Sequence, residues 1–292
     1  MDLLIVVSRA IHFASVALLF GMPLFRLTVV RDLAAAPGER RVEVWAAILA
    51  LLSGLGWFAG VAAAMAGGWA DAVAPDMLGT VAFDTRFGRL WITRLACLVA
   101  IFAVHALGRS SRRSDIALVI PATAFAASLV GVGHGLAGGR GGDVVAPIHA
   151  VADIVHLLCA AIWIGGLFCL GRLLQVGAPD TIRHALPRFS RIGYWAVALL
   201  VISGCINALV LVATPDRLLT TDYGRVLLIK IGLAVVMVAI AVVNRLMFTP
   251  QVMTRTEPTD IKGLWRSVLV EQGVGLLVLA VVARLGTIHP VP

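Results

Sequence analysis

Charge is scarce in this chain. Asp, Glu, Lys and Arg together make up 14% of the 292 residues, where a soluble globular chain carries about 25%. The four cysteines (Cys97, Cys159, Cys169, Cys205) all fall inside apolar runs, which excludes a disulfide framework and a zinc ribbon. No Walker loop, GxSxG, HExxH or strand-anchored dinucleotide fingerprint is present, so ATP-driven pumping by this chain is excluded and it is read as a non-enzyme. Acidic residues are too few and too dispersed for a carboxylate-rich magnesium or calcium site. What abounds is apolar surface: 60% of residues are hydrophobic and the mean hydropathy is +0.97. A water-soluble enzyme, a secreted scaffold and a disordered chain are thereby ruled out, leaving an integral membrane protein.

A helix needs about 20 apolar residues to cross a hydrocarbon core of about 30 Å. Eight segments qualify: 3–25, 43–66, 90–107, 115–137, 148–171, 191–213, 225–247 and 266–287. They are continuous and far longer than the ~10-residue alternating strands of a membrane barrel. The first lacks a basic leader and a small-residue cleavage site, and reads as a retained helix. The expectation is therefore an all-α, polytopic, single membrane domain over 1–292. The net charge of +8 resolves on the same map. Fifteen Lys and Arg residues lie in the odd loops and five in the even ones. The positive-inside rule then places the odd loops in the cytoplasm and both termini in the periplasm. The basic balance sets orientation, and no nucleic-acid partner is implied.

The chain also resembles itself. Phe87-Gly88-Arg89 with Arg94 matches Tyr223-Gly224-Arg225 with Lys230. Trp45-Ala46 with Ser53-Gly54 matches Trp195-Ala196 with Ser203-Gly204, and His12 with Gly21 matches His156 with Gly165. Three spans in order thus match three spans four places on. The expectation is two parallel four-helix repeats, about 1–140 and about 147–292, related by an axis along the membrane normal. His12 and His156 then lie at equivalent depths, roughly 12–14 Å from the outer ends of their helices. Arg9 and Asp153 fall at equivalent positions with opposite charge, so an ion pair between them is expected.

Polar side chains inside a membrane are costly and functional by default. In the fifth span, Asp153 lies about 40° from His149 around the helix, and His156 returns to within about 20°. The two histidines are about 10.5 Å apart along the axis, too far for one ion, and read as successive stations flanking Asp153. A carboxylate beside an imidazole can also fix its tautomer. His134, in the Gly-rich end of the fourth span, is a further candidate. Imidazoles suit copper, zinc, iron and nickel. Cys159 lies within about 60° of His156, and Met65 and Met77 near the outer end of the second span offer thioethers. Gly56-xxx-Gly60 permits close helix packing. Glu271 with Asn244-Arg245 is expected to form a polar clasp at the cytoplasmic ends. Arg94, Lys230 and Arg284 are expected to snorkel to the outer interface.

These residues resemble a known family. Asp153-Ile-Val-His156-Leu-Leu-Cys-Ala-Ala-Ile-Trp163-Ile-Gly165-Gly166 is similar to the fifth-helix signature of the copper resistance protein D (CopD/PcoD) family. Phe189-Ser190, Ser203-Gly204 with Asn207, Tyr223-Gly224-Arg225 with Lys230, Asn244-Arg245 with Pro250, and Glu271 extend the match. The resemblance implies an eight-helix protein of the bacterial inner membrane. It would move copper across that membrane, with its metal histidines at His12 and His156 and, less directly, His149 and His134. It also implies a separate periplasmic CopC-like copper-binding partner. Two other readings stand beside copper passage through His149, Asp153, His156 and His12. One is a b-type haem protein for which His12 and His156 are axial ligands; the other is a scaffold that delivers copper to oxidases.

Overall fold

Backbone N–H and C=O groups find no partner in lipid, so long apolar runs close their hydrogen bonds within helices. The computed structural model describes residues 2–31, 38–108, 111–130, 142–211, 216–255 and 257–288, and its described residues hold no strand. The chain runs through α1 (Asp2–Thr28), α2 (Glu39–Ala66), two short helices α3 (Trp69–Ala72) and α4 (Pro75–Gly79), and a π-helical turn over Thr80–Asp84. There follow α5 (Arg86–Leu107), α6 (Arg112–Ala127), α7 (Gly142–Val176), α8 (Pro179–Leu211) and the short α9 (Asp216–Thr220). Then α10 (Asp222–Val243) passes through a π-helical turn (Asn244–Phe248) into α11 (Thr249–Thr254), and α12 (Pro258–Leu285) ends the bundle.

Seven of these helices are long and apolar enough to cross a membrane. The expected span over 115–137 differs. There α6 has 16 residues, about 24 Å of rise, and a turn follows over 128–130; residues 131–141 lie outside the described segments. Other helices overrun their apolar cores. Residues 179–190, with three arginine-bearing loop positions expected there or beside them, are helical instead: Ile182, Ala185 and Leu186 form a buried stripe that carries α8 beyond its hydrophobic run. Gly38 and Gly67 bracket α2 with φ of 94° and 75°, the left-handed region that glycine enters without Cβ strain.

In the middle of the bundle α1 packs against α7. Around α1 stand α2 and α6, while α7 carries α8, and α12 touches both α1 and α7. The α1–α7 crossing is backbone against backbone. A Cβ built on Gly21 would meet the Ala161 carbonyl at 2.6 Å, and one built on Gly165 would meet the Ala17 carbonyl at 2.4 Å. The Gly56-xxx-Gly60 face of α2 receives Ser8 and Ile5 of α1, as its spacing suggests.

Two helix starts share one construction. The Thr85 hydroxyl accepts from Gly88 N at the head of α5, and the Thr221 hydroxyl accepts from Gly224 N at the head of α10. Each threonine also donates back, to Val81 O and Arg217 O respectively, at 2.6 Å. A Cβ on either glycine would strike the backbone of the preceding turn. The Thr-x-x-Gly spacing is thus an N-cap with its close-packed glycine. The correspondence stops at the next contact, because α2 packs on α5 while α8 and α10 make no comparable contact. A cavity of about 400 Å³ lies there, lined by Leu167, Phe189, Tyr194, Val238 and Glu271 among others.

Candidate metal centre

His12 is 1% exposed and sits in the core of the first half. Its Nδ1 lies 3.0 Å from Ala50 O and 3.2 Å from Ser53 Oγ, both on α2. A carbonyl oxygen only accepts, so Nδ1 carries the proton and Nε2 holds the lone pair. Trp57 and Phe125 stand edge-on to the ring, at 5.8 and 5.3 Å between centroids. Gly54 makes room for it: a Cβ there would come within 3.5 Å of His12 Cε1.

His156 repeats this arrangement against α8. Its Nδ1 is 3.1 Å from Ser203 Oγ, and Ser203 itself donates to Leu199 O at 2.6 Å. With the hydroxyl proton so committed, Ser203 accepts from Nδ1, which again leaves the lone pair on Nε2. Gly204 stands where Gly54 does, with a built Cβ 3.4 Å from His156 Cε1. The surroundings differ. His156 is half-buried, and Asp153 lies one turn before it. The carboxylate accepts from Asn207 Nδ2 at 2.5 Å and stands 4.0 Å from His149 Nε2. Lys230 of α10 is near enough to act electrostatically on both Asp153 and His156.

The structure therefore gathers His149, Asp153, His156, Ser203 and Asn207 along the α7–α8 seam. His12, on α1, packs instead against Ala50 and Ser53 of α2. His134 lies outside the described residues. No group of three or more His, Cys, Asp or Glu side chains able to hold one ion occurs among the described residues.

Comparison with known proteins decides the family. The chain is 32% identical over 291 residues to inner membrane protein YebZ of Escherichia coli K12, covering 97% of both chains. Residues 1–142 match the copper resistance protein D-like N-terminal domain, and residues 183–285 match copper resistance protein D. The chain belongs to the copper resistance protein D family. Copper resistance protein D of Pseudomonas syringae pv. tomato is 29% identical over 305 residues, with 97% of this chain and 96% of the relative covered. Copper transport protein CutJ of Bacillus subtilis 168 is 28% identical over 223 residues, covering 74% of this chain and 39% of CutJ. No solved structure matches.

Within this member of the copper resistance protein D family, several expectations need correction. Arg9 and Asp153 form no ion pair: Asp153 turns to Asn207 and His149, while the Arg9 guanidinium lies 4.7 Å from the Trp57 ring and packs against Gly286. Arg94 does not snorkel. It is 1% exposed and donates to Ser128 Oγ and Ser128 O at 3.0 Å, because the end of α6 offers acceptors closer than the interface. The haem reading gains no support, since the relatives are named for copper resistance, copper transport and the inner membrane. Met77 packs into an apolar cluster with Ala62, Ala63 and Val81, away from the histidines. The expected clasp is present in part: Glu271 accepts from Trp163 Nε1 and Asn244 Nδ2, both at 2.8 Å, on the wall of the α8–α10 cavity, whereas Arg245 lies over the Tyr194 ring at 5.2 Å.

Sequence reasoning missed a second buried centre. Arg26 of α1 donates to Glu43 of α2 and Asp115 of α6, with Glu39 at 3.5 Å, and His105 of α5 stands 3.9 Å from Glu43. By sequence Arg26 falls just past the first apolar run, among the fifteen odd-loop Lys and Arg residues that set orientation. The usable signal was Glu43, an acid inside a span with no assigned partner. Ser53 and Ser203, flagged as repeat markers, are the groups that orient the histidines, and Asn207, flagged in the family match, holds Asp153.

Proposed function

We propose that this protein moves copper ions across the bacterial inner membrane, with His149, Asp153 and His156 as the stations of the path. The observation that carries this reading is the His156 ring. Its Nδ1–H is tied to Ser203, its Nε2 takes no hydrogen bond among the described residues, and a carboxylate held by Asn207 lies one turn away. Neutral imidazole with an oriented tautomer is the form that ligates copper. Asp153 offsets the charge of an entering cation and of Lys230 nearby. Family membership, and relatives named for copper resistance and copper transport, support the choice of metal. The relative named as an inner membrane protein supports the location.

The finer architecture belongs to the same reading. We take the chain as eight spans in two parallel halves, both termini periplasmic, with α6 and the residues after it as the fourth span. The matched histidine–serine–glycine sites, the matched threonine caps and the reciprocal Gly21–Gly165 contact support such a repeat. The face where α1 and α7 begin is then periplasmic, and a separate CopC-like protein would deliver or collect copper there. Transport, rather than catalysis, is the activity assigned.

The test is cellular copper content and copper tolerance in cells expressing wild type, His156→Ala or Asp153→Asn. Wild type is expected to change both. His156→Ala should return them to the vector baseline, and Asp153→Asn, which removes the negative charge beside the entering cation, should shift both part of the way there. Copper content and tolerance identical in wild type and His156→Ala would overturn the assignment.

A further inference from the structure

The first half holds two buried cations without an acid. Arg94 is 1% exposed and Arg9 7%, in helices read as membrane-spanning. No carboxylate among the described residues lies within ion-pairing distance of either, the ion pairs being made elsewhere. Arg94 and Arg9 are also close enough to feel each other's charge. Both reach the same indole, Arg9 at 4.7 Å and Arg94 at 5.2 Å from the Trp57 ring centroid. Part of the cost is met locally. Arg94 donates to the C-terminal end of α6, and Arg9 lies against Gly286 at the C-terminal end of α12, each the negative pole of a helix dipole. A helix end offers about half a charge, so the two ends leave about one positive charge unbalanced in a low-dielectric interior.

Around the Trp57 ring stand three buried atoms with no hydrogen-bond partner among the described residues: Arg9 Nε, Arg94 Nη1 and His12 Nε2. Two are cationic donors. The third is a lone pair, because the His12 proton is fixed on Nδ1 by Ala50 O. A bare copper cation would meet the lone pair and be repelled by the guanidiniums. A bare anion would meet the guanidiniums and be repelled by the lone pair. The arrangement fits a ligand with an electrophilic end toward His12 and an anionic end toward the arginines.

We propose that His12, Arg9 and Arg94 form a binding site for copper that still carries a halide, the metal on His12 Nε2 and the halide facing the two guanidiniums. No bond to the halide breaks on binding: His12 replaces a solvent ligand on the copper, and nothing is oxidised or reduced. The halide cancels the charge of the copper, so the copper would enter the first half as a neutral pair whose negative end faces the two guanidiniums. His156 needs no such companion, because Asp153 stands beside it where Arg9 stands beside His12. The inference rests on the copper reading above and adds an anion requirement to one of its two histidines.

The test is Cu(I) binding by the purified protein, titrated anaerobically against a chromophoric chelator, in chloride and in gluconate at equal ionic strength. Wild type, His12→Gln, Arg94→Gln and Arg94→Lys are compared after correction for chlorocuprate formation in solution. Wild type is expected to gain about tenfold in affinity from chloride, and X-ray absorption of the bound copper should contain a chloride neighbour. The gain should vanish in His12→Gln and Arg94→Gln and persist in Arg94→Lys. Copper bound equally well in both anions by wild type overturns this inference and leaves the His156 reading standing. A chloride gain that survives in a folded Arg94→Gln protein also overturns it, by placing the anion elsewhere. If wild type binds no copper in either anion, the copper reading itself falls and takes this inference with it.

Discussion

Arg26→Met is expected to destabilise the protein by about 3–5 kcal/mol, the range for removing one partner of a buried ion pair. The Arg26 side chain is 4% exposed, and it ties three acids to one guanidinium. Its Nη2 donates to Glu43 at 2.5 Å and to Asp115 at 2.7 Å, its Nε donates to Asp115 at 2.9 Å, and Glu39 lies 3.5 Å from its Nη1. The acids come from α2 and α6, and His105 of α5 stands 3.9 Å from Glu43. One side chain thus ties α1 to two other helices of the first half. Without it, carboxylates face one another in an interior where water cannot solvate them. Replacing the whole cluster by neutral groups differs in kind, because it removes the cost of desolvating the ions as well as their attraction. The triple variant Arg26→Met, Glu43→Gln, Asp115→Asn is therefore expected to recover most of the lost stability. Thermal unfolding in detergent, with the yield of folded protein, reads both effects. An Arg26→Met protein that unfolds at the wild-type temperature would show that the cluster carries no compensated charge.

The Arg26 cluster marks the boundary of what sequence could reveal. Helix type and the position of most spans were legible because hydropathy reports directly on burial in lipid; eight spans were expected, and seven helices of sufficient length appear among the described residues. Helix ends were less legible. The stripe Ile182, Ala185, Leu186 is amphipathic rather than apolar, so a hydropathy window stops before α8 does. Which residues touch is a further step. His12 and His156 were found by their spacing to Gly21 and Gly165, and Ser53 and Ser203 by theirs to the neighbouring tryptophans. That each serine orients its histidine is a fact of packing between helices 41 and 47 residues apart in the chain. Arg9 and Asp153 show the opposite failure. Arg9 turns to Trp57 and Gly286 while Asp153 turns to Asn207 and His149, so opposite charge at positions matched by spacing did not make a pair.

The glycine partners of those histidines support the second large effect. Gly165→Ala is expected to force α1 and α7 apart. The added carbon would lie 2.4 Å from Ala17 O and 2.8 Å from Gly21 Cα, and both obstacles are backbone. No side-chain rotation can relieve the contact, so the helices themselves must move, and with them the packing of Leu167, Met22 and Leu170 around the crossing. Overpacking of this kind costs about 1–3 kcal/mol where neighbours can yield, and the upper end or beyond is expected here. Gly21→Ala should cost a similar amount, since its Cβ would meet Ala161 O at 2.6 Å and Gly165 Cα at 2.7 Å. The double variant should cost clearly less than the two singles added together. Once one methyl has separated the helices, the second enters space already opened, and neighbouring sites that share a displacement are non-additive. Gly232→Ala is the control. Nothing lies within 4 Å of a Cβ at that position in α10, so the change should be neutral or stabilise by up to about 1 kcal/mol through helix propensity. Unfolding temperatures of the four proteins in one detergent decide the matter. Full additivity would mean that the two glycines act at separate contacts rather than at one α1–α7 crossing.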